Sequence, residues 1–263
     1  MPLAALLNRL RSWRHAFWFG ISRRLRWSRG LYREKPAGRL ELKPEQAQRV
    51  AALKSRYPVQ FEQHLGRRSS TINYEYLDLL DCAWTHWQRS PPHGGVLCDV
   101  GCASFWYAAA LHAFFRPQRL VGVEIEGHRL FRDGRARIDY AAGYVADLPG
   151  TEFVVADYSG LDLPADTITA WFPFVTQAAI LAWRLPLALL KPDALFSSIR
   201  RNLKPQGTLV MVNHGPDEAQ VASRCCVAAG LAFEGQFVHP GPLSRYRAVP
   251  PVISVWRHAG APL

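Results

Sequence analysis

The sequence predicts an α/β fold, a doubly wound and largely parallel sheet with helices on both faces, preceded by a helical extension. Three observations predict it. Short apolar runs alternate with helix-length segments from residue 96 onward. The first of these runs, VLCDV at 96–100, breaks into a tight turn at Gly101 and then a helix-like stretch. The last two runs have no helix-length segment between them, so they form an antiparallel edge.

The 263 residues suffice for one large domain, or one domain with an appendage. The net charge of +11 is unevenly spread: residues 1–43 carry 11 Lys and Arg against only Glu34 and Glu41. The basic character therefore belongs to the leading segment, while the remainder is close to neutral. Five cysteines show neither zinc spacing nor a disulfide framework, which suits a reducing, cytoplasmic setting.

Residues 1–43 read as a basic amphipathic arm. Leu3, Leu6, Leu7, Leu10, Trp13, Phe17, Trp18, Ile21 and Leu25 recur at three- and four-residue steps, and so lie along one stripe of a helix. Gly20 weakens that helix and Gly30 ends it. Arginines interrupt every apolar run, which excludes a membrane span and fits a secretory signal poorly. Residues 3–27 could instead lie on a membrane surface, with Trp and Phe among the headgroups and Arg meeting anionic lipid. Packing of the stripe on the main domain is the plainer alternative.

Residues 44–93 form a helical lead-in. Ala47, Val50, Ala51 and Leu53 predict a helix before Pro58, and Tyr76, Leu79, Leu80, Ala83, Trp84 and Trp87 predict a second. SPPHGG at 90–95 punctuates the chain and opens a core domain over 94–263. Its strands are expected at 96–100, 120–124, 152–156, 167–172, 208–213, 232–238 and 252–256. Its helices are expected at 106–115, 130–148, 177–203 and 218–229.

In such sheets a ligand binds at the carboxyl ends of the strands. Three successive strands end in or beside a carboxylate: Asp99, Glu124 and Asp157. Each has a use if the ligand is a cationic nucleoside. Glu124 can accept from two ribose hydroxyls, Asp157 from an adenine amino group, and Asp99 favours nearby positive charge. Gly101 lets the backbone approach closely. A phosphate cradle fits less well, since the turn lacks Gly-Lys-Ser/Thr and carries an acid. Capping of the following helices is the bland reading of any one of these acids.

Over roughly residues 94–258 this pattern resembles the class I S-adenosylmethionine-dependent methyltransferases. Asp99-Val100-Gly101-Cys102-Ala103-Ser104-Phe105 is similar to the family's Asp-x-Gly-x-Gly-x-Gly loop, with Ala103 and Phe105 where two glycines usually stand. Glu124 matches the ribose acid, Asp157 the adenine acid, and LKPQGTLVMVN at 203–213 the lead into strand five. The resemblance implies a Rossmann-like sheet of seven strands with the last reversed, and S-adenosyl-L-methionine as cofactor. It places Asp99, Gly101, Cys102, Ala103, Glu124, Ile125, Asp157, Tyr158 and Phe172 around that cofactor. A nicotinamide-binding fold would require Gly-x-Gly-x-x-Gly, and residues 101–106 read Gly-Cys-Ala-Ser-Phe-Trp.

The acceptor side is read from AWFPFV at 170–175, whose aromatic residues suit a small, apolar or lipid-like molecule with nitrogen or oxygen as the accepting atom. His214, just past strand five, is the candidate base, Tyr74 is the second candidate catalytic residue, and Tyr74 and Tyr76 could form a lid or substrate wall. Arg129, Arg132, Arg135 and Arg137 lie on or near one expected helix, either for an anionic group or as a solvated face. No metal is expected. Two alternatives remain: an RNA methyltransferase using the arginine-rich arm, which the near-neutral core disfavours, and a non-enzymatic scaffold whose cofactor pocket Phe105 fills.

Overall fold

A computed structural model describes residues 3–245 and 248–258. Three helices come first: α1 (Leu3–Leu25), α2 (Pro44–Arg56) and α3 (Arg67–Trp87). The core follows as β1 (Val96–Val100), α4 (Ala108–Phe115), β2 (Arg119–Glu124), α5 (Arg137–Val145) and β3 (Thr151–Val155). Then come β4 (Ala165–Trp171), α6 (Gln177–Ala182), α7 (Pro192–Asn202) and β5 (Leu203–Asn213). The chain closes with α8 (Gly215–Ala228), β6 (Leu231–Val238) and β7 (Val252–His258).

The sheet order is β3-β2-β1-β4-β5-β7-β6. β1 to β5 pair in parallel, and β7 runs antiparallel to both β5 and β6. Seven strands with a reversed last one were expected, and that is the observed sheet. Alternate residues of each strand feed opposite cores, as a period of two requires. Leu97, Leu120, Val210 and Ile253 pack under α3 and α4. Cys98, Val121, Ile168, Leu209 and Trp256 pack on the other face, under α7 and α8.

Two expected helices are shorter than their apolar patterns. The stretch at 130–148 is helical only from Arg137, because Leu130 and Ala136 bridge across a turn with Gly134 at a φ of +75°. The stretch at 177–203 breaks into α6, a 3-10 turn at Leu187–Leu189 and α7, since Pro186 and Pro192 cannot continue a helix. α1 instead runs unbroken through Gly20.

The lead-in is built into the core: Val50, Leu53, Leu77 and Leu80 share one buried cluster with Phe114 and Leu97. Behind α1 the chain becomes a strap across α5. Asp139 accepts from the backbone N–H groups of Arg29 and Gly30 and from the Ser28 hydroxyl. Tyr32 passes so close to Gly143 that a Cβ there would lie 1.8 Å from its carbonyl oxygen, a position only glycine can fill.

Candidate active site

A cavity of about 180 Å3 opens at the carboxyl edge of the sheet, lined by Val100 and Gly101 after β1, Glu124 and Ile125 after β2, and Asp157 and Tyr158 after β3. Its far wall is Phe172, Pro173 and Phe174 beyond β4, with Trp183, Leu185 and Leu189 from the broken α6–α7 segment. Six of the nine residues expected around the cofactor therefore share one concavity.

Glu124 is nearly buried, and its two oxygens are already engaged. Oε2 accepts from the Ala103 N–H and Oε1 from the Glu126 N–H, both at 2.8 Å. The Arg137 guanidinium stands 3.2 Å from Oε1 and 3.4 Å from Glu126 Oε2. A carboxylate offers about four acceptor positions, so capacity for ribose hydroxyls remains once Arg137 is displaced. Asp157 heads a 3-10 turn and accepts from Ser159 N–H (3.0 Å) and Oγ (2.5 Å). It is exposed at the cavity mouth.

Asp99 departs from the expectation. It is fully buried behind the turn, accepting from the Tyr107 hydroxyl at 2.7 Å and the Thr169 hydroxyl at 2.5 Å, and does not line the cavity. Burial pushes its carboxyl up to about 7, against the opposing pull of the two hydroxyls and with a further push from Glu124. Its local role is to tie β1 to β4 and α4, and so to hold the turn rigid.

The turn itself has backbone angles suited to glycine. Gly101, Ala103 and Phe105 have φ of +73°, +52° and +56°. A Cβ at Gly101 would meet nothing within 4 Å, so the backbone is open on that side. Ala103 and Cys102 are buried under the turn and do not line the cavity. The Phe105 ring turns away from it and lies on Gly122 in β2, where a Cβ would come within 2.6 Å of the ring. The cavity is therefore not plugged by Phe105.

Neither candidate catalytic residue lines the cavity. Tyr74 is a correction: its hydroxyl donates to Glu62 at 2.7 Å inside the helical layer, and burial raises its pKa further from use. His214 caps α8 and stacks on the back of Phe172, with ring centroids 3.9 Å apart. Burial, with Arg245 nearby, pulls its pKa below the ordinary value, which favours the neutral ring. Tyr76 stacks on Tyr107 and lies tilted against Trp171, 4.1 Å between centroids, and so backs the cavity.

Of the four arginines, only Arg137 lines the cavity. Arg129 pairs with Glu126 at 3.0 Å, and Arg135 lies over the Tyr32 ring. Sequence reasoning missed Glu126, although the doublet Glu-Ile-Glu was a visible signal. It also missed Trp183, over which Arg137 is stacked at 5.7 Å. Elsewhere, Asp78, Cys82 and His239 bring potential ligand atoms within 4.8 Å of one another. Arg49 already pairs with Asp78, and burial pushes the Cys82 thiol up to about 12, so the cluster is engaged without an ion.

No family model and no curated protein matches the sequence. Solved structures do resemble it. A putative methyltransferase from Haloferax volcanii, solved with the Trm112 methyltransferase activator, is 16% identical and covers 74% of this chain and 94% of its own, at a TM-score of 0.49. An S-adenosylmethionine-dependent methyltransferase from Aquifex aeolicus is 15% identical, covering 68% and 91%, also at 0.49. A putative RNA methyltransferase from Pyrococcus horikoshii is 13% identical, covering 84% and 98%, again at 0.49. The strand order and the reversed β7 decide the architecture independently of these likenesses. The chain has a Rossmann-like, doubly wound sheet of seven strands with the last one reversed, the architecture expected from the sequence. In that fold the cavity above Gly101, between Glu124 and Asp157, occupies the carboxyl-edge crevice where doubly wound sheets bind ligands.

Proposed function

We propose that the chain is an S-adenosylmethionine-dependent methyltransferase acting on a small, largely apolar acceptor. The observation that carries this reading is the convergence of Glu124 and Asp157, from adjacent strand ends, on one cavity floored by the open backbone of Gly101. The residues present fit the cofactor. Glu124 would hold the ribose hydroxyls, Asp157 the adenine amino group, and Ile125 and Tyr158 the faces of the base. When bound, the cofactor supplies an electrophilic methyl group on a sulfonium.

What the chain itself contributes is alignment and exclusion of water. Phe172, Phe174, Trp183, Leu185 and Leu189 give the cavity an apolar far wall. An in-line displacement gains most of its rate from such positioning. Phe172 is fixed by its φ of +55° and by the His214 ring behind it, so the wall nearest β4 is stiff. An acceptor that arrives deprotonated needs no base. The cavity is smaller than the roughly 300–1,000 Å3 of typical ligand pockets. Displacement of Arg137 from Glu124 would free the acceptor positions that the ribose hydroxyls need.

An RNA acceptor gains no support from the cavity, whose lining is mainly apolar and whose two bases, Arg137 and Lys191, are matched by the acids Glu124 and Asp157. Calorimetric titration with S-adenosylhomocysteine tests the proposal. Wild type is expected to bind, and Glu124→Gln and Asp157→Asn are each expected to weaken binding by about 1–3 kcal/mol. A folded wild type that shows no binding refutes it.

A further inference from the structure

α1 presents its apolar stripe to solvent rather than to its own domain. Residues three and four apart share one side of a helix, so Leu6, Leu10, Trp13 and Phe17 form a row, with Leu7 and Trp18 beside it. All six are exposed, Trp13 at 73% and Trp18 at 62%. The side that meets the domain is mostly small or polar. Ser12 Oγ accepts the Leu187 N–H at 2.9 Å, and His15 is buried. Phe19 alone brings an aromatic ring to that side, onto Ile180, Leu181 and Leu185. The plainer expectation, a stripe packed on the main domain, is therefore not what the structure shows. A contiguous apolar surface of this kind marks a binding face.

Charge selects the occupant. Arg9, Arg11, Arg14 and Arg24 border or interrupt the stripe and are exposed, and no acid precedes Glu34 in the chain. A second copy docking stripe to stripe would bring these arginines against their own equivalents. A nucleic acid would use the arginines and leave the leucines and tryptophans in water. An anionic lipid surface satisfies both, with aromatic rings at headgroup depth and arginine stems lying along the apolar face while their guanidinium groups reach phosphate. Among the described residues no helix is long and apolar enough to cross a membrane.

We propose that α1 is a docking helix for an anionic bilayer surface, lying in the plane of the interface with the Leu6–Trp18 stripe toward the acyl chains. This does not depend on the cofactor assignment. Through Ser12 and Phe19 the docked helix is joined to the α6 segment whose Trp183, Leu185 and Leu189 wall the cavity, so docking holds that wall at the membrane.

Flotation of the full chain with vesicles tests it, using phosphatidylcholine alone and phosphatidylcholine with roughly a quarter phosphatidylglycerol. Wild type is expected to float with the anionic vesicles, to float poorly with the neutral ones, and to be released by raised salt. Trp13→Ser/Phe17→Ser/Trp18→Ser is expected to remain in solution while its thermal unfolding is unchanged, because all three side chains are exposed. Arg9→Gln/Arg14→Gln/Arg24→Gln is expected to lose about fivefold in partitioning per arginine neutralised. Failure of folded wild type to float overturns the proposal, and so does undiminished flotation of the aromatic variant. A dimer that the aromatic variant converts to monomer, without flotation, assigns the stripe to a second copy. Salt-sensitive RNA binding without flotation assigns the arm to nucleic acid. Either result overturns the proposal.

Discussion

Ala103 and Phe105 show how one turn tolerates residues its geometry disfavours. Both have left-handed φ, which costs a non-glycine residue about 1–2 kcal/mol. Phe105 recovers this by burying its ring on Gly122, a strand glycine whose missing Cβ makes the room. Ala103 has no comparable side-chain burial to set against its strain. Ala103→Gly is therefore expected to raise stability by about 1 kcal/mol in urea unfolding, whereas Phe105→Gly is expected to lower it by about 3 kcal/mol through loss of a core ring. Asp99 carries a pH signature. Its folded carboxyl titrates near 7, above the ordinary 3.8, so the stability it contributes is complete below about pH 4 and lost as pH rises through about 7. Asn cannot ionise, so between those limits the melting temperature of Asp99→Asn is expected to gain steadily on that of wild type. A difference independent of pH would place the ionisation elsewhere.

Among the elements, the strap between α1 and α2 is held chiefly by two carboxylates, Asp139 and Glu34. Asp139 opens α5 and satisfies N–H groups on both sides, Ala136 in its own turn and Arg29 and Gly30 in the strap. Asp139→Ala is expected to release the strap. The measurement is limited proteolysis, with cleavage within residues 26–42 accelerated well before global unfolding; unchanged cleavage would show that Glu34, bonded to Ser69, Gly66 and Tyr144, suffices alone. The α6–α7 segment illustrates what was misread. Its apolar pattern suggested one long helix, yet Pro186 and Pro192 were visible in the sequence and decide the outcome. The strands were legible because their burial on both faces leaves short apolar runs bounded by turns. The side to which α1 turns its stripe was not, since periodicity defines a face without saying what meets it.

Across the whole molecule, the seven strands and the reversed last one were legible, while the order of the strands in the sheet and the contacts around the cavity were not. Glu124 and Asp157 could be placed by their position at strand ends. Asp99 could not, because its neighbours Tyr107 and Thr169 come from other elements and decide where its carboxylate points. Arg137 sits ten residues or more from any acid expected in the site, and only folding brings it onto Glu124. At the sheet edge Arg137 stands against Glu124, the acid proposed for ribose, and the segment bonded to α1 through Leu187 walls the far side of the cavity. The most direct test is a crystal structure of the chain with S-adenosylhomocysteine. The account predicts the ribose hydroxyls on Glu124, the adenine beside Asp157 and the Arg137 side chain displaced from Glu124. A nucleoside bound elsewhere, or Arg137 still paired with Glu124 at full occupancy, would contradict it.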